Sequence, residues 1–239
     1  MFKKYWKFFV IFWSVVLVGI IGVFVFFWLI SAGKLGFMPT FEELENPNNR
    51  FASEVYFADG PIMNRYFEKE NRKYIEYREI PQSVIDALIA TEDVRFYDHS
   101  GVDVRGLFRV AKGLLTANTS AGGGSTISQQ LAKMLFPRES DLNVFELAIR
   151  KFREWVIAVR LEKSYTKEEI LTMYLNKYDF LNLAVGISSA ADIYFQVPLD
   201  SLKVEQAAML IGMAKNSSYY NPVRRPELTL NRRNVVLSQ

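Results

Sequence analysis

Cysteine is absent from the 239 residues, and histidine occurs once, at His99. A disulfide framework and thiolate metal sites are therefore excluded, as are zinc sites built on two or three histidines. Any metal used here would be an oxygen-bound ion such as magnesium, held by carboxylates and a substrate. Charge of one sign is also lacking. The chain has 29 basic and 26 acidic residues, a net charge of +3, with no block or tail of like charge. That balance excludes a nucleic-acid footprint, so nucleic acid is not an expected partner. Half of the residues are apolar, enough for the core of one domain or of two small ones. There is no internal repeat and no low-complexity tract.

Charge is missing altogether from Phe8 to Ile30, a run of 23 residues. As a helix it would extend about 34 Å, which matches the ~30 Å hydrocarbon core of a bilayer. Lys3, Lys4 and Lys7 precede it and only Lys34 follows closely. The positive-inside rule then puts the N-terminus in the cytoplasm and everything after residue 38 outside it. The run exceeds the roughly 7 to 15 apolar residues of a signal peptide, so residues 1–38 read as a cytoplasmic tip and an uncleaved, single-pass anchor.

Residues 39–80 read as a linker followed by a small β-hairpin. Strand-like runs at Ala52–Ala58 and Pro61–Phe67 meet at Asp59-Gly60, and a third strand is expected at Lys73–Ile80. From Pro81 onward, over 81–239, the apolar period is helical nearly everywhere. Pro81 opens a helix with Val84, Ile85, Leu88 and Ile89 on one face, which puts Glu92 at its C-terminus. Asp103 can cap a helix with apolar residues at Val104, Leu107, Phe108, Ala111 and Leu114. The stretch Leu107–Leu115 suits either a core helix or a lipid interface.

The stretch Thr91–Gly101 holds three carboxylates and the one histidine. A carboxylate at a helix end beside Asp93 is disfavoured as an anion, which is one way to obtain a general base or acid. A solvated helix end is the alternative. Downstream, a helix starting from a Ser125 cap places Ile127, Leu131, Met134 and Leu135 on one face. Thr126, Gln129, Gln130 and Lys133 share another face, a row of donors and acceptors ending in a cation. A helix from about Asn143 to Lys163 carries a stripe of Phe145, Ala148, Ile149, Phe152, Trp155, Val156 and Val159 that reads as core. Glu154 lies off that stripe, one turn from Arg150 and Lys151, in what could be plain surface ion pairing. Thr166 to Glu169 is a capping box. Ser188, Ser189, Ala190 and Ala191 suit close helix packing, and the last apolar helix runs from about Val204 to Ala214.

Together these segments resemble the glycosyltransferase domain of peptidoglycan polymerases, glycosyltransferase family 51. That family comprises monofunctional transglycosylases and the front part of bifunctional class A penicillin-binding proteins. The matching stretches are Glu92-Asp93-x-x-Phe96-x-x-His99-x-Gly101, Gly123-Gly124-Ser125-Thr126-Ile127-x-Gln129-Gln130-Leu131-x-Lys133, Arg150-Lys151-x-x-Glu154 with Tyr174-Leu175-Asn176, and Ala190-Ala191-x-x-Tyr194-Phe195 with Lys215 and Tyr220-Asn221-Pro222. Asn231–Leu237 resembles the segment just before the transpeptidase part of the bifunctional members.

The resemblance implies a mainly α, lysozyme-like fold with a small N-terminal β-hairpin behind one transmembrane helix. It implies polymerisation of lipid II with inversion at the outer face of the cytoplasmic (inner) membrane, releasing undecaprenyl pyrophosphate. The partners it implies are lipid II, the lipid-linked glycan chain, the membrane, and cell-wall elongation or division proteins. By position Glu92 would be the general base, and Glu154 a second catalytic carboxylate that helps to hold a divalent cation, magnesium or manganese. Lys133, Ser125, Thr126, Gln129, Gln130, Arg150, Lys151, Lys215 and Asn176 would bind substrate. Asp93, His99 and Phe96 would support the loop behind the base. The family's pyrophosphate arginine has no firm counterpart, Arg138 standing nearest. Leu181–Ala184 replaces a glycine-bearing loop, and Ala214 a frequent proline. A lysozyme-like hydrolase and a non-catalytic anchored scaffold are the competing classes. The Gln-Gln-x-x-Lys stripe argues against the first, since a hydrolase has no pyrophosphate to stabilise. The pairing of Glu92 with Glu154 argues against the second.

Overall fold

The computed structural model describes residues 2–40, 53–56, 62–66, 71–116, 123–136 and 143–239. Helix α1 (Phe2–Ser31) contains a stretch, Tyr5–Ser31, long and apolar enough to cross a bilayer. Strands β1 (Ser53–Tyr56) and β2 (Ile62–Tyr66) pair antiparallel with an irregularity at Val55/Tyr56, as the expected hairpin requires; its turn at Asp59-Gly60 and most of the linker lie outside the described residues.

The expected third strand does not form over Lys73–Ile80. Instead β3 (Asn71–Arg72) pairs in parallel with β4 (Ala184–Val185), and Tyr77–Glu79 is a 3-10 turn. Only two residues of partner edge are present, so the run is held by other means. Ile75 and Ile80 are buried in the helical core, and the Asn176 side chain bonds the Ile75 backbone at both N–H and carbonyl. Residues 71–80, placed with the hairpin by sequence, pack as part of the helical domain.

The domain itself is built from α2 (Gln82–Glu92), α3 (Val104–Leu115), α4 (Ile127–Leu135), α5 (Val144–Ser164), α6 (Lys167–Lys177), α7 (Ile187–Phe195), α8 (Val204–Ala214) and α9 (Pro226–Leu237). It is mainly α, as expected. Helix α8 is apolar on nearly every face, with Ala207, Ala208, Leu210, Ile211, Met213 and Ala214 buried, so it runs through the middle of the domain. Helices α2 and α9 pack on it. The small residues of α7, Ser188 to Ala191, are buried as expected and allow close packing. Asn143 and Thr166 cap α5 and α6 with reciprocal boxes to Glu146 and Glu169. Helix α9 was not marked by apolar period; Pro226 at its first turn is the signal that could have found it.

Two expectations about these helices need correction, and one alternative is decided. The α4 cap is Thr126, not Ser125: its hydroxyl accepts the Gln129 N–H, while Ser125 is left for other work. The α5 stripe is not core. The buried positions of α5 are Arg153, Ile157, Ala158 and Leu161, whereas Phe145 is 71% exposed and Phe152 sits edge-on to Phe26 and Phe27 of α1 at 5.4 and 5.7 Å. On α3, where core and lipid interface were both open, Val104 and Phe108 are exposed. A helical apolar period shows that a face must be covered, and here the cover is partly the anchor helix.

The anchor is fastened to α5 by a cation. Arg160 Nη2 donates to both the carbonyl and the hydroxyl of Ser31 at 2.8 Å, and Nη1 to the Pro39 carbonyl at 3.1 Å. These bonds satisfy a carbonyl at the C-terminus of α1 that its own ladder leaves free.

Candidate active site

Helix α2 stops at Glu92 because Asp93, whose N–H bonds the Ile89 carbonyl, turns out of helical geometry with φ −158° and ψ 71°. The turn sends the two adjacent carboxylates to different places. Asp93 is buried. It accepts the Ile127 N–H at 3.0 Å and receives His99 Nε2 at 3.0 and 3.1 Å. Its charge thus lies at the N-terminus of α4, where a helix favours an anion. Gly101 N–H donates to His99 Nδ1 at 3.2 Å, which leaves Nε2 as the protonated nitrogen that donates to Asp93.

Gly101 is the second staple. Its carbonyl accepts from Thr126 Oγ1 at 2.7 Å and Gln129 Nε2 at 3.2 Å, and its φ of +94° suits only glycine. A Cβ there would lie 2.8 Å from the Ala158 backbone. Lys167 closes the loop from below: Nζ donates to the His99 carbonyl at 2.6 Å, pairs with Glu162 at 2.8 Å and stands 4.3 Å over the Phe96 ring. On the far side Arg95 is paired with Asp103, which also caps Gly106 N–H of α3. Burial alone would raise the Asp103 carboxyl, but the Arg95 and Gly106 bonds outweigh it and hold it below its ordinary value.

Glu92 faces the other way. Its Oε2 accepts from Gln130 Nε2 at 2.8 Å, and Gln130 Oε1 accepts from Tyr174 Oη at 3.0 Å. Burial pushes the Tyr174 phenol well above its ordinary value, with the Glu92 charge and Tyr178 adding to it. Tyr174 therefore stays a donor, which sets the Gln130 amide with its NH₂ toward Glu92. On the next wall Lys151 Nζ bridges Ser125 Oγ at 2.9 Å and Glu154 Oε2 at 2.8 Å. Tyr178 donates toward the Met213 and Ala214 carbonyls at the end of α8, which fixes the start of Lys215. Burial, partly offset by the Ser217 hydroxyl, and the Glu92 charge push the Tyr178 phenol up to about 12.

Two cavities meet at Glu92. One, of about 330 Å³, is lined by Glu92, Gln130, Lys133, Lys151, Glu154 and Lys215, with Ser125, Gln129 and Tyr178 completing the wall. The other, of about 280 Å³, is lined by Glu92, Asp93, Arg95, Arg109, Ser125 and Thr126 among others. Most of the residues expected to bind substrate are thus gathered in one place. Asn176 lies apart from them: it is buried, both ends of its amide are occupied by Ile75, and it lines neither cavity. Arg150 lines neither cavity, and Arg138 lies outside the described residues. Thr126 and Gln129 are 2% and 1% exposed, and their hydrogen bonds go to the Gly101 loop. Sequence reasoning missed Arg232, whose Nη2 lies 3.7 Å from Glu92 Oε1.

The sequence profile described as Transglycosylase matches residues 59–239. The chain belongs to the transglycosylase family. This is the family that the motif order pointed to, and its matched region contains both cavities. The transglycosylase chain is 38% identical over 202 residues to penicillin-binding protein 1A of Escherichia coli (strain K12), covering 84% of this chain and 23% of that one. It is 37% identical over 202 residues to penicillin-binding protein 1A of Pseudomonas aeruginosa, covering 84% and 24%. The chain therefore spans about a quarter of the length of these curated relatives. A crystal structure of Penicillin-Binding Protein 1A from Haemophilus influenzae aligns over 80% of this chain and 18% of that one, at 22% identity and a TM-score of 0.41.

Proposed function

We propose that this transglycosylase domain polymerises lipid II, joining a lipid-linked glycan donor to a lipid II acceptor with inversion at the anomeric carbon. The observation that carries the reading is the sharing of Glu92 by two cavities, one of which also holds Lys133, Lys151 and Lys215. The lysine-lined cavity suits the donor, whose departing undecaprenyl pyrophosphate needs its charge neutralised. The other cavity suits the acceptor. Glu92, standing between them, takes the proton from the acceptor hydroxyl as that oxygen attacks, a role that contributes roughly 10² to 10⁴ in rate. Glu154 holds Lys151 toward Ser125 and the pyrophosphate.

Among the described residues no three His, Cys, Asp or Glu side chains gather to hold a metal by themselves. The expected magnesium or manganese ion is proposed only as a companion of the substrate phosphates, with the Glu154 oxygen that Lys151 does not take as a protein ligand. No step above runs through it.

The domain is proposed to work at the outer face of the inner membrane, N-terminus inside. Helix α5 lies along the last turns of α1, with Arg160 at Ser31 and Phe152 at Phe26 and Phe27. Its first turns, with Val144, Phe145 and Leu147 exposed, therefore point on toward the bilayer. Phe108 and Leu115 of α3 are also exposed, alongside Arg105, Arg109 and Lys112 on the same helix, which suits an anionic lipid surface. Elongation or division proteins of the cell wall are proposed as partners on the ground of the reaction alone.

Incubation of the chain with labelled lipid II tests the reading. Long glycan strands are expected, and Glu92→Gln should reduce them by roughly 10² or more. Shortening of finished glycan with no polymer made from lipid II would replace this reading with that of a hydrolase. Undiminished polymerisation by Glu92→Gln would remove the base.

A further inference from the structure

Glu92 ends a helix with no basic residue in its last turn, and the next residue is a second carboxylate. The helix supplies no counter-charge at an end that disfavours anions, and the cation in the loop after it, Arg95, is paired with Asp103. The counter-charge comes from α9. Arg232 places Nη2 3.7 Å from Glu92 Oε1, with the two side chains 10% and 12% exposed. Arg232 is itself fixed: its Nε donates to the Gly212 carbonyl at 3.4 Å and its guanidinium stands 5.8 Å from the Tyr220 ring centre. The close crossing of α8 and α9 depends on Gly212, where a Cβ would lie 3.1 Å from Arg232 Cγ.

The two oxygens of Glu92 are therefore in different states. Oε2 makes a full hydrogen bond to Gln130. Oε1 faces a fixed cation that lies beyond hydrogen-bonding distance, so it is oriented without surrendering a lone pair. We infer that Arg232 is a positioning residue for the transfer reaction: with Gln130 it fixes the Glu92 carboxylate so that Oε1 is the oxygen that removes the acceptor proton. In that step the acceptor O–H bond breaks and its electron pair forms the new C–O bond at the donor's anomeric carbon. The proton passes to Oε1, and the anomeric bond to the diphosphate breaks with its pair leaving on the phosphate oxygen. The inference rests on the reading of Glu92 as the base.

The test compares Arg232→Gln, Arg232→Lys, Arg233→Ala and Glu92→Gln in the full chain, measuring lipid II polymerisation in detergent and thermal unfolding of each. Arg232→Gln should lose roughly 10²-fold in kcat, the scale of a misplacement of about 1 Å, with KM for lipid II unchanged. Arg232→Lys, which restores a cation without the planar fork, should recover part of that loss. Arg233→Ala should match the parent, since Arg233 bonds the neighbouring Asn234 side chain and not Glu92. Parental kcat in Arg232→Gln would overturn the inference. So would a raised KM at constant kcat, which puts Arg232 on the substrate, or a rate loss that follows the loss of folded protein in both Arg232 variants. An active Glu92→Gln is a separate failure, because it removes the base reading whatever the arginine variants do.

Discussion

Asn in place of Asp93 changes almost nothing in shape, yet it should destabilise the domain strongly. The carboxylate receives donors on both oxygens: Ile127 N–H on Oδ2, and His99 Nε2 at 3.0 and 3.1 Å from the pair. An asparagine can offer only one acceptor oxygen. If that oxygen stays on Ile127, the new NH₂ faces the protonated Nε2 of His99. If His99 changes tautomer to receive the NH₂, its Nδ1–H then faces the Gly101 N–H, now bonded at 3.2 Å. Either way one buried donor points at another, which costs about 1–3 kcal/mol, and a charge-assisted bond is reduced to a neutral one. The lost anion at the α4 N-terminus adds about 0.3–1 kcal/mol. A total near 3 kcal/mol should lower Tm by roughly 6–12 °C in a chain of this size. Thermal unfolding of the full chain in detergent measures this directly, alongside lipid II polymerisation well below the lowered Tm. The refuting result is an Asp93→Asn protein that melts with the parent and yet has lost activity, because the carboxylate would then be meeting substrate rather than holding the loop.

Gly101→Ala should cost at least about 2 kcal/mol, since a side chain at φ +94° would also press on the Ala158 backbone; unchanged unfolding in denaturant would contradict that. Leu183→Gly should act in the opposite sense. Leu181, Asn182 and Leu183 all have positive φ, at 65°, 52° and 67°, and glycine at the exposed Leu183 should gain about 1 kcal/mol, read as a rise in denaturant midpoint. Tyr178, raised in the fold to about 12, contributes stability that is complete below its ordinary value near 10 and lost as pH rises through about 12. An ultraviolet pH titration should show a late tyrosine class that loses one member in Tyr178→Phe; a single class near the ordinary value would refute the burial argument.

The parts of this molecule that were legible in sequence are those fixed by neighbours in the chain. Pro81 and the period behind it put Glu92 at a helix end, and Asn143 and Thr166 announced their helices with complete boxes. The departure at Leu181–Ala184, where glycine was expected, marks the run of left-handed residues. What sequence did not separate are groups whose chemistry is equally good in two settings. Ser125 and Thr126 are adjacent and both can cap, and only the position of the Gly101 carbonyl gives the cap to Thr126 and leaves Ser125 for Lys151. The Asn176 amide could bind a sugar or a backbone, and the depth at which α6 is buried decides for the Ile75 backbone. Arg232 carried no local signal, because its partner is on another helix far away in the chain.

The α5 stripe was misread for a reason that bears on the reaction. A soluble domain would have buried Phe145, Phe152 and Trp155 in its own core, but here α5 is a strut between two environments. One end is tied by Arg160 to the C-terminus of the anchor, and Phe152 lies against the anchor one to two turns back. Lys151 and Glu154 sit on the same turn as Phe152, so this lysine of the cavity is held beside the last turns of α1. Lys151 and Arg160 are about 14 Å apart along the helix. For a substrate whose tail stays in the bilayer, the diphosphate is confined to a narrow depth near the headgroups. On the proposed reading, a lysine carried on a helix bolted to the anchor stays close to such a diphosphate, which is the advantage a tether gives. The same logic accounts for the exposed apolar turns that precede Lys151. Val144, Phe145 and Leu147 are exposed, so removing them would leave the domain's own core intact.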